Sequence, residues 1–197
     1  YFKDAGLQFW GGDLMEQVAK QKPRKHIKDL AFMGFVEVLK NIRTIFRNIK
    51  FCKQDILRFK PDVLVLVDYP GFNLRIADWA KQQGIRVIYY ISPTIWAWKE
   101  NRVEIVKRSI EKMFVILPFE VAVYKKHNYD ADYVGHPLLD AIEQEKSKLP
   151  TREDFTLENK LGDKPIIAVL PGSRKQEIER MLSIMLNVVG DFQEYQF

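Results

Sequence analysis

Five consecutive apolar residues, Val63-Leu64-Val65-Leu66-Val67, run straight into Asp68. An unbroken β-branched-rich run of that length is the pattern of a parallel strand covered on both faces. Parallel neighbours require a crossover, usually a helix, and the flanking sequence supplies them. Asn73 is placed to cap a helix through Leu74, Ile76, Ala77 and Ala80 to Gly84, and 85–91 then reads as a second strand. The alternation continues with a helix marked by Val103, Val106 and Ile110, a strand over 113–117, a helix over 119–126, a strand over 131–134 and a helix over 138–145. The prediction is an α/β fold with a doubly wound, Rossmann-like parallel sheet and right-handed crossovers.

Ahead of the first strand, apolar residues at Phe35, Val38, Leu39, Ile42, Ile45, Phe46, Ile49, Cys52 and Ile56 fall at three-and-four spacing and predict one long amphipathic helix. Its polar face is basic. Residues 24–60 hold ten Lys or Arg against Asp29, Glu37 and Asp55, within a chain of formal net charge +5. A charge run is usually a solvated face, yet this excess over 35–60 suits an anionic membrane surface. Nucleic acid is not expected, because no basic motif with interleaved aromatics accompanies it.

Between 143 and 164 the sequence turns polar, with Pro150, the cluster Thr151-Arg152-Glu153-Asp154 and Gly162. This predicts a linker between a domain over 1–142 and the start of a second α/β domain over 165–197. There 166–170 reads as a strand, Pro171-Gly172-Ser173-Arg174 as a turn, and a helix begins near Gln176. The apolar runs are far shorter than the roughly 20 residues that cross a bilayer. The lone Cys52 excludes an internal disulfide framework and leans towards a reducing cytosol. No Cys/His spacing of a zinc site occurs.

In open α/β sheets, ligands bind beyond the carboxyl ends of the strands. The polar residues there are the candidates. Asp68 leaves an apolar strand with limited solvation and suits a general base, or else caps the next turn. In Ser92-Pro93-Thr94-Ile95-Trp96-Ala97-Trp98, two tryptophans either stack on a sugar or acyl chain or plug the domain edge. His136, between Gly135 and Pro137, is a phosphate ligand, a base or a structural histidine. Backbone N–H groups, a hydroxyl and a guanidinium converge at Pro171-Gly172-Ser173-Arg174, which fits a phosphate or is an ordinary strand-to-helix turn. It lacks both the Walker ending and the dinucleotide glycines.

Taken in order, the segments Asp29-Leu30-Ala31-Phe32-Met33-Gly34-Phe35-Val36-Glu37-Val38-Leu39, Lys60-Pro61-Asp62-Val63, Asp68-Tyr69-Pro70-Gly71-Phe72-Asn73, Ser92 to Trp98, Leu117-Pro118-Phe119-Glu120, Val134-Gly135-His136-Pro137 and Leu170 to Arg174 with Glu177 resemble the lipid-A-disaccharide synthase family over nearly the whole chain. The resemblance implies a glycosyltransferase of the two-domain GT-B type. Its substrates are UDP-2,3-diacylglucosamine and 2,3-diacylglucosamine 1-phosphate, joined with inversion into a β-1,6-linked disaccharide phosphate with release of UDP. It implies Asp68 as the catalytic base, and Asn73, Ser92, Trp96, Trp98 and His136 on the substrate side. It implies Ser173, Arg174 and Glu177 at the nucleotide-sugar phosphates, where the charge supplied by the Ser173-Arg174 turn replaces the metal that other glycosyltransferases use, so neither a metal nor a cofactor is expected. It also implies a peripheral enzyme on the cytoplasmic face of the inner membrane and admits a homodimer.

The family's Gly-Glu-x-Ser-Gly-Asp loop is expected upstream of Tyr1 and most of its donor domain beyond Phe197, so this stretch alone is not expected to turn over. The competing readings are a UDP-sugar epimerase of the same architecture and a non-enzymatic nucleotide- or lipid-binding module.

Overall fold

Four parallel strands, β3 (Val63–Val67), β4 (Arg86–Tyr90), β5 (Lys112–Val115) and β6 (Asp132–Tyr133), form one sheet in sequential order. Two shorter strands, β1 (Trp10–Gly11) and β2 (Lys25–His26), form a separate parallel pair, with helix α1 (Asp13–Ala19) between them. The computed structural model describes residues 5–29 and 42–197. The chain is an α/β protein with parallel sheets and flanking helices, consistent with a Rossmann-like GT-B domain. It divides into two units, Tyr1–Leu139 and Asp140–Phe197.

Each crossover of the first unit carries a helix, as the alternating pattern predicts. α3 (Pro70–Gln82) joins β3 to β4, α4 (Arg102–Ser109) joins β4 to β5, and α5 (Pro118–Lys126) joins β5 to β6. The core fills the space between sheet and helices, with Ile76, Ala77 and Ala80 of α3, Val106 of α4 and Tyr124 of α5 closed against Val87, Tyr89, Met113 and Val115. The small Ala77 and Ala80 bring α3 close to the strands. Arg108 and Ser109 of α4 both donate to the Asp78 carboxylate of α3, at 2.7 and 3.0 Å, and tie these helices together.

The expectation that β3 is covered on both faces is not met. β3 is the outer strand of the four, and Leu66 is buried while Val65 and Val67 are exposed. One face therefore packs and the other does not, so the strand behaves as a half-buried edge.

The long basic helix is described from Ile42, as α2 (Ile42–Phe59); the part predicted over 35–41 lies outside the described residues. Its buried stripe differs from the one its apolar residues mark. Phe46 is 57% exposed, while Asn48 and Asp55 are buried beside Ile49 and Ile56. At 3.6 residues per turn, this rotates the inner face by roughly 50° towards the polar pair. For Asp55 the reason is the β1–β2 segment: its carboxylate accepts the Trp10 indole N–H at 3.0 Å and the Arg24 Nε–H at 3.1 Å. Trp10 also lies 5.5 Å from Phe51 and 6.1 Å from Phe72, anchoring β1 on α2 and α3. Among the described residues no helix is long and apolar enough to cross a membrane.

In the second unit, the strand predicted over 166–170 does not form. Only a parallel bridge from Ile166 to Gln196 is made, and Leu170 is 80% exposed. A parallel strand needs a run of pairs with its neighbour, and here one residue pair supplies the whole ladder. Helix α6 (Pro137–Lys146) spans the boundary between units, α7 (Arg152–Glu158) interrupts the stretch read as a linker, and α8 (Lys175–Leu186) follows the Gly172-Ser173-Arg174 turn.

Candidate active site

The registers place the post-strand residues of the first unit on one edge of its sheet. Val67 pairs with Tyr90, Tyr90 with Phe114, and Val115 with Tyr133. The ladder runs one step further, as Asp68 N–H donates to Tyr90, Ile91 N–H to Phe114 and Val134 N–H to Val115. Asp68, the 92–98 loop, the start of α5 and His136 thus all lie at the carboxyl ends of the strands.

At Asp68 the chain turns sharply, with Asp68 at φ 46° and Tyr69 at φ 45°. Left-handed backbone in residues other than glycine is uncommon and has to be held. Two side chains hold it. The Tyr89 phenol donates to the Asp68 carbonyl at 2.5 Å, and the Asn73 amide donates to the carbonyls of Val67 at 3.0 Å and Asp68 at 2.7 Å. Tyr89 is fully buried, and burial first, then the Asp68 charge, push its phenol well above the usual range. It therefore stays a neutral donor. Asn73 does not cap the helix as predicted: α3 begins three residues earlier at Pro70, whose fixed φ suits a first helical position. The Asp68 side chain is exposed, against the expectation of limited solvation, and so is open to a ligand.

The tryptophan loop alternates between inside and outside. Ser92, Pro93 and Ile95 are buried, while Thr94, Trp96 and Trp98 are exposed. Ile95 and Pro93 plug the domain edge, which leaves both indoles free of that task. Trp96 meets Phe119 edge-on at 5.1 Å, so two half-exposed rings form a ledge. Ser92 is buried, and its hydroxyl donates at 2.6 Å to Glu120, which is itself 2% exposed. The other Glu120 oxygen accepts Leu117 N–H at 3.0 Å. One buried carboxylate thus joins the β4 loop to the start of α5. Ile91, at φ 62°, is a third left-handed residue at this edge. The His136 Nδ1 accepts Leu138 N–H at 3.2 Å, a contact that shapes the entry to α6.

The Gly172-Ser173-Arg174 turn belongs to the second unit. Gly172 has φ 107°, and a Cβ there would lie 2.6 Å from a Glu177 carboxylate oxygen, so only glycine fits. Glu177 accepts the Arg174 backbone N–H at 3.2 Å and its Nη1–H at 2.9 Å. A carboxylate so placed holds the turn and orients the guanidinium; its own charge disfavours phosphate. Ser173 and Arg174 are both exposed.

Comparison with known proteins bears on this arrangement directly. The family profile described as lipid-A-disaccharide synthetase matches residues 2–196. The chain belongs to the lipid-A-disaccharide synthase family. It is 45% identical over 158 residues to lipid-A-disaccharide synthase 1 of Legionella pneumophila (strain Paris), covering 80% of this chain and 40% of that protein. It is 40% identical over 166 residues to the synthase of Trichlorobacter lovleyi, covering 84% and 43%. It is 38% identical over 185 residues to that of Syntrophus aciditrophicus, covering 93% and 48%. The chain thus spans less than half the length of these curated relatives.

Within this lipid-A-disaccharide synthase segment, sequence reasoning missed the roles of Tyr89 and Glu120. Tyr89 sits in a strand pattern where tyrosine reads as one more apolar residue. Glu120 had a signal, since a glutamate three residues after Leu117 matches the capping geometry of a helix start.

Proposed function

We propose that this chain is the acceptor-side part, with the beginning of the donor side, of an enzyme that makes the lipid A disaccharide by inverting glycosyl transfer. The donor is UDP-2,3-diacylglucosamine and the acceptor 2,3-diacylglucosamine 1-phosphate. The observation that carries this reading is Asp68: an exposed carboxylate at a strand end, on a strained turn clamped by Tyr89 and Asn73, within a chain of this family.

In the proposed step the acceptor hydroxyl oxygen attacks the anomeric carbon from the side opposite the diphosphate. The carbon–oxygen bond to the diphosphate breaks with its electron pair, UDP departs, and the hydroxyl proton passes to the Asp68 carboxylate. Taken by itself, the second unit's turn offers the exposed Ser173 hydroxyl and Arg174 guanidinium, which have the chemistry to bind a diphosphate such as the donor's. The Trp96–Phe119 ledge offers apolar area for the sugar face or an acyl chain.

The outer face of α2 interleaves the exposed Arg43, Arg47, Lys50 and Arg58 with the exposed Phe46, Leu57 and Phe59. Cations beside exposed apolar side chains support a peripheral contact with anionic lipid on the cytoplasmic side of the inner membrane. The test of the whole reading is direct: a full-length enzyme carrying this sequence, given donor and acceptor, forms disaccharide phosphate and UDP in equal amounts. Release of UDP without disaccharide, or no reaction, overturns it.

A further inference from the structure

The first unit holds a cationic feature that the reaction as proposed above does not use. Two positive groups lie against the Trp98 ring, Lys99 Nζ at 4.5 Å and Arg102 Cζ at 5.1 Å from its centroid. Like charges gathered at one ring repel, and the acid beside them in sequence is engaged elsewhere, as Glu100 pairs with His127 at 3.2 Å. Three arginines of this unit spend their guanidinium on carboxylates: Arg24 on Asp55, Arg86 on Glu111 and Arg108 on Asp78. Among the described residues Arg102 has no such partner. It is half-buried, and its Nη1 is a buried nitrogen without a hydrogen bond among the described residues. A desolvated guanidinium N–H left unpaired is costly, so this group calls for an acceptor beyond the described side chains.

The position of Arg102 matters as much as its chemistry. It opens α4 directly after the tryptophan loop, at the carboxyl edge of the sheet. Its charge acts on the Tyr89 phenol, the group that holds the Asp68 carbonyl. A planar fork of donors, a second point charge and an aromatic face together match a doubly charged phosphate monoester attached to a sugar. A carboxylate would need only one of the two cations. The donor diphosphate already has the separate Ser173-Arg174 turn.

We infer that Trp98, Lys99 and Arg102 form the binding site for the phosphate monoester of a sugar 1-phosphate lying in the crevice beside Asp68. Arg102 supplies the directed hydrogen bonds, Lys99 the second charge, and Trp98 the surface that holds both cations in place. This inference rests on the proposed glycosyl transfer.

The test compares two acceptors in a full-length enzyme carrying this sequence, one with the 1-phosphate and one without. Arg102→Gln should lower kcat/KM for the phosphorylated acceptor about 10- to 100-fold, chiefly through KM, the loss expected for charge-assisted hydrogen bonds. The unphosphorylated acceptor and the donor KM should stay within about twofold, because neither uses that contact. Arg102→Lys should recover part of the loss. Equal losses with both acceptors would reduce Arg102 to a structural residue, and a change confined to donor KM would assign it to the diphosphate; either overturns the inference. If Arg102→Gln does not fold, the exposed Lys99→Gln should give the same split, about 3- to 10-fold, and no split there overturns the inference as well. An inactive wild type would instead sink the glycosyl-transfer reading. Calorimetry with glucosamine 1-phosphate against glucosamine then decides the anion site by itself: preference for the phosphate, lost in Arg102→Gln, upholds it, and equal binding refutes it.

Discussion

The hydroxyl of Tyr89, in the middle of the sheet, donates at 2.5 Å to the backbone carbonyl of Asp68, where the edge strand ends. This bond and the two from Asn73 hold a turn whose residues Asp68 and Tyr69 both have left-handed backbone. Removing the hydroxyl by Tyr89→Phe keeps the buried ring and deletes one donor. The expected cost is about 1 kcal/mol in urea denaturation. In the full-length enzyme kcat should fall about 10-fold with donor KM unchanged, the signature of a misplaced base. A stability loss without a kcat loss would detach Tyr89 from the site.

Glu120 predicts a larger structural effect. Glu120→Ala strands the Ser92 hydroxyl and the Leu117 N–H, both now satisfied by one buried carboxylate. Denaturation should register about 2 to 4 kcal/mol. Glu120→Gln keeps one acceptor oxygen and should lose clearly less. Equal losses for the two variants would show that side-chain volume, not hydrogen bonding, is what Glu120 provides.

What the sequence made legible follows from periodicity. The unbroken run 63–67, the Ala77 and Ala80 spacing and the repeated alternation each leave a mark in the order of residues, and strands and helices appear where those marks fall. The positions of Asp68, Trp96, Trp98 and His136 were legible for the same reason, as post-strand residues of a parallel sheet. Relationships across elements leave no such mark. Asp55 reads as one polar residue on a helix, and only its meeting with Trp10 and Arg24, 45 and 31 residues away, turns it inward. Asn73 has the composition of a helix cap, but Pro70 can start the helix earlier, which frees the amide to clamp the turn. The run 166–170 has strand composition, yet composition cannot supply the neighbouring strand that a ladder requires.

The ion pair between α3 and α4 sets a pH dependence. The hydrogen bond from Arg108, reinforced by Ser109, holds the Asp78 carboxyl below the usual carboxylate range. Its folded pKa is depressed, so its stabilisation is present above the unfolded value of about 3.9 and disappears as pH falls through the lower folded value. Asp78→Asn should therefore cost up to about 1 kcal/mol at neutral pH, small because the pair is partly exposed. The variant should also lose less stability than wild type on acidification below about pH 4. Parallel acid-unfolding curves for the two proteins would contradict this assignment.

The basic face of α2 predicts lipid binding. Replacing Arg43, Arg47 and Lys50 with Glu should weaken sedimentation with anionic vesicles, since each basic residue near such a surface contributes about 1 kcal/mol. The effect should shrink as salt is raised and be absent with zwitterionic vesicles. Unchanged binding to anionic vesicles at low salt would make this an ordinary solvated face.

The central claim is that Asp68 takes the acceptor proton, and the most direct measurement is single-substrate kinetics of Asp68→Asn in a full-length enzyme carrying this sequence. Asparagine keeps the size of the side chain and the backbone carbonyl that Tyr89 and Asn73 hold, so the turn should survive. It offers no carboxylate to accept a proton. The account predicts a kcat lower by roughly 10²- to 10⁴-fold, with donor KM and thermal midpoint close to wild type. A well-folded Asp68→Asn enzyme with near-wild-type kcat would contradict it.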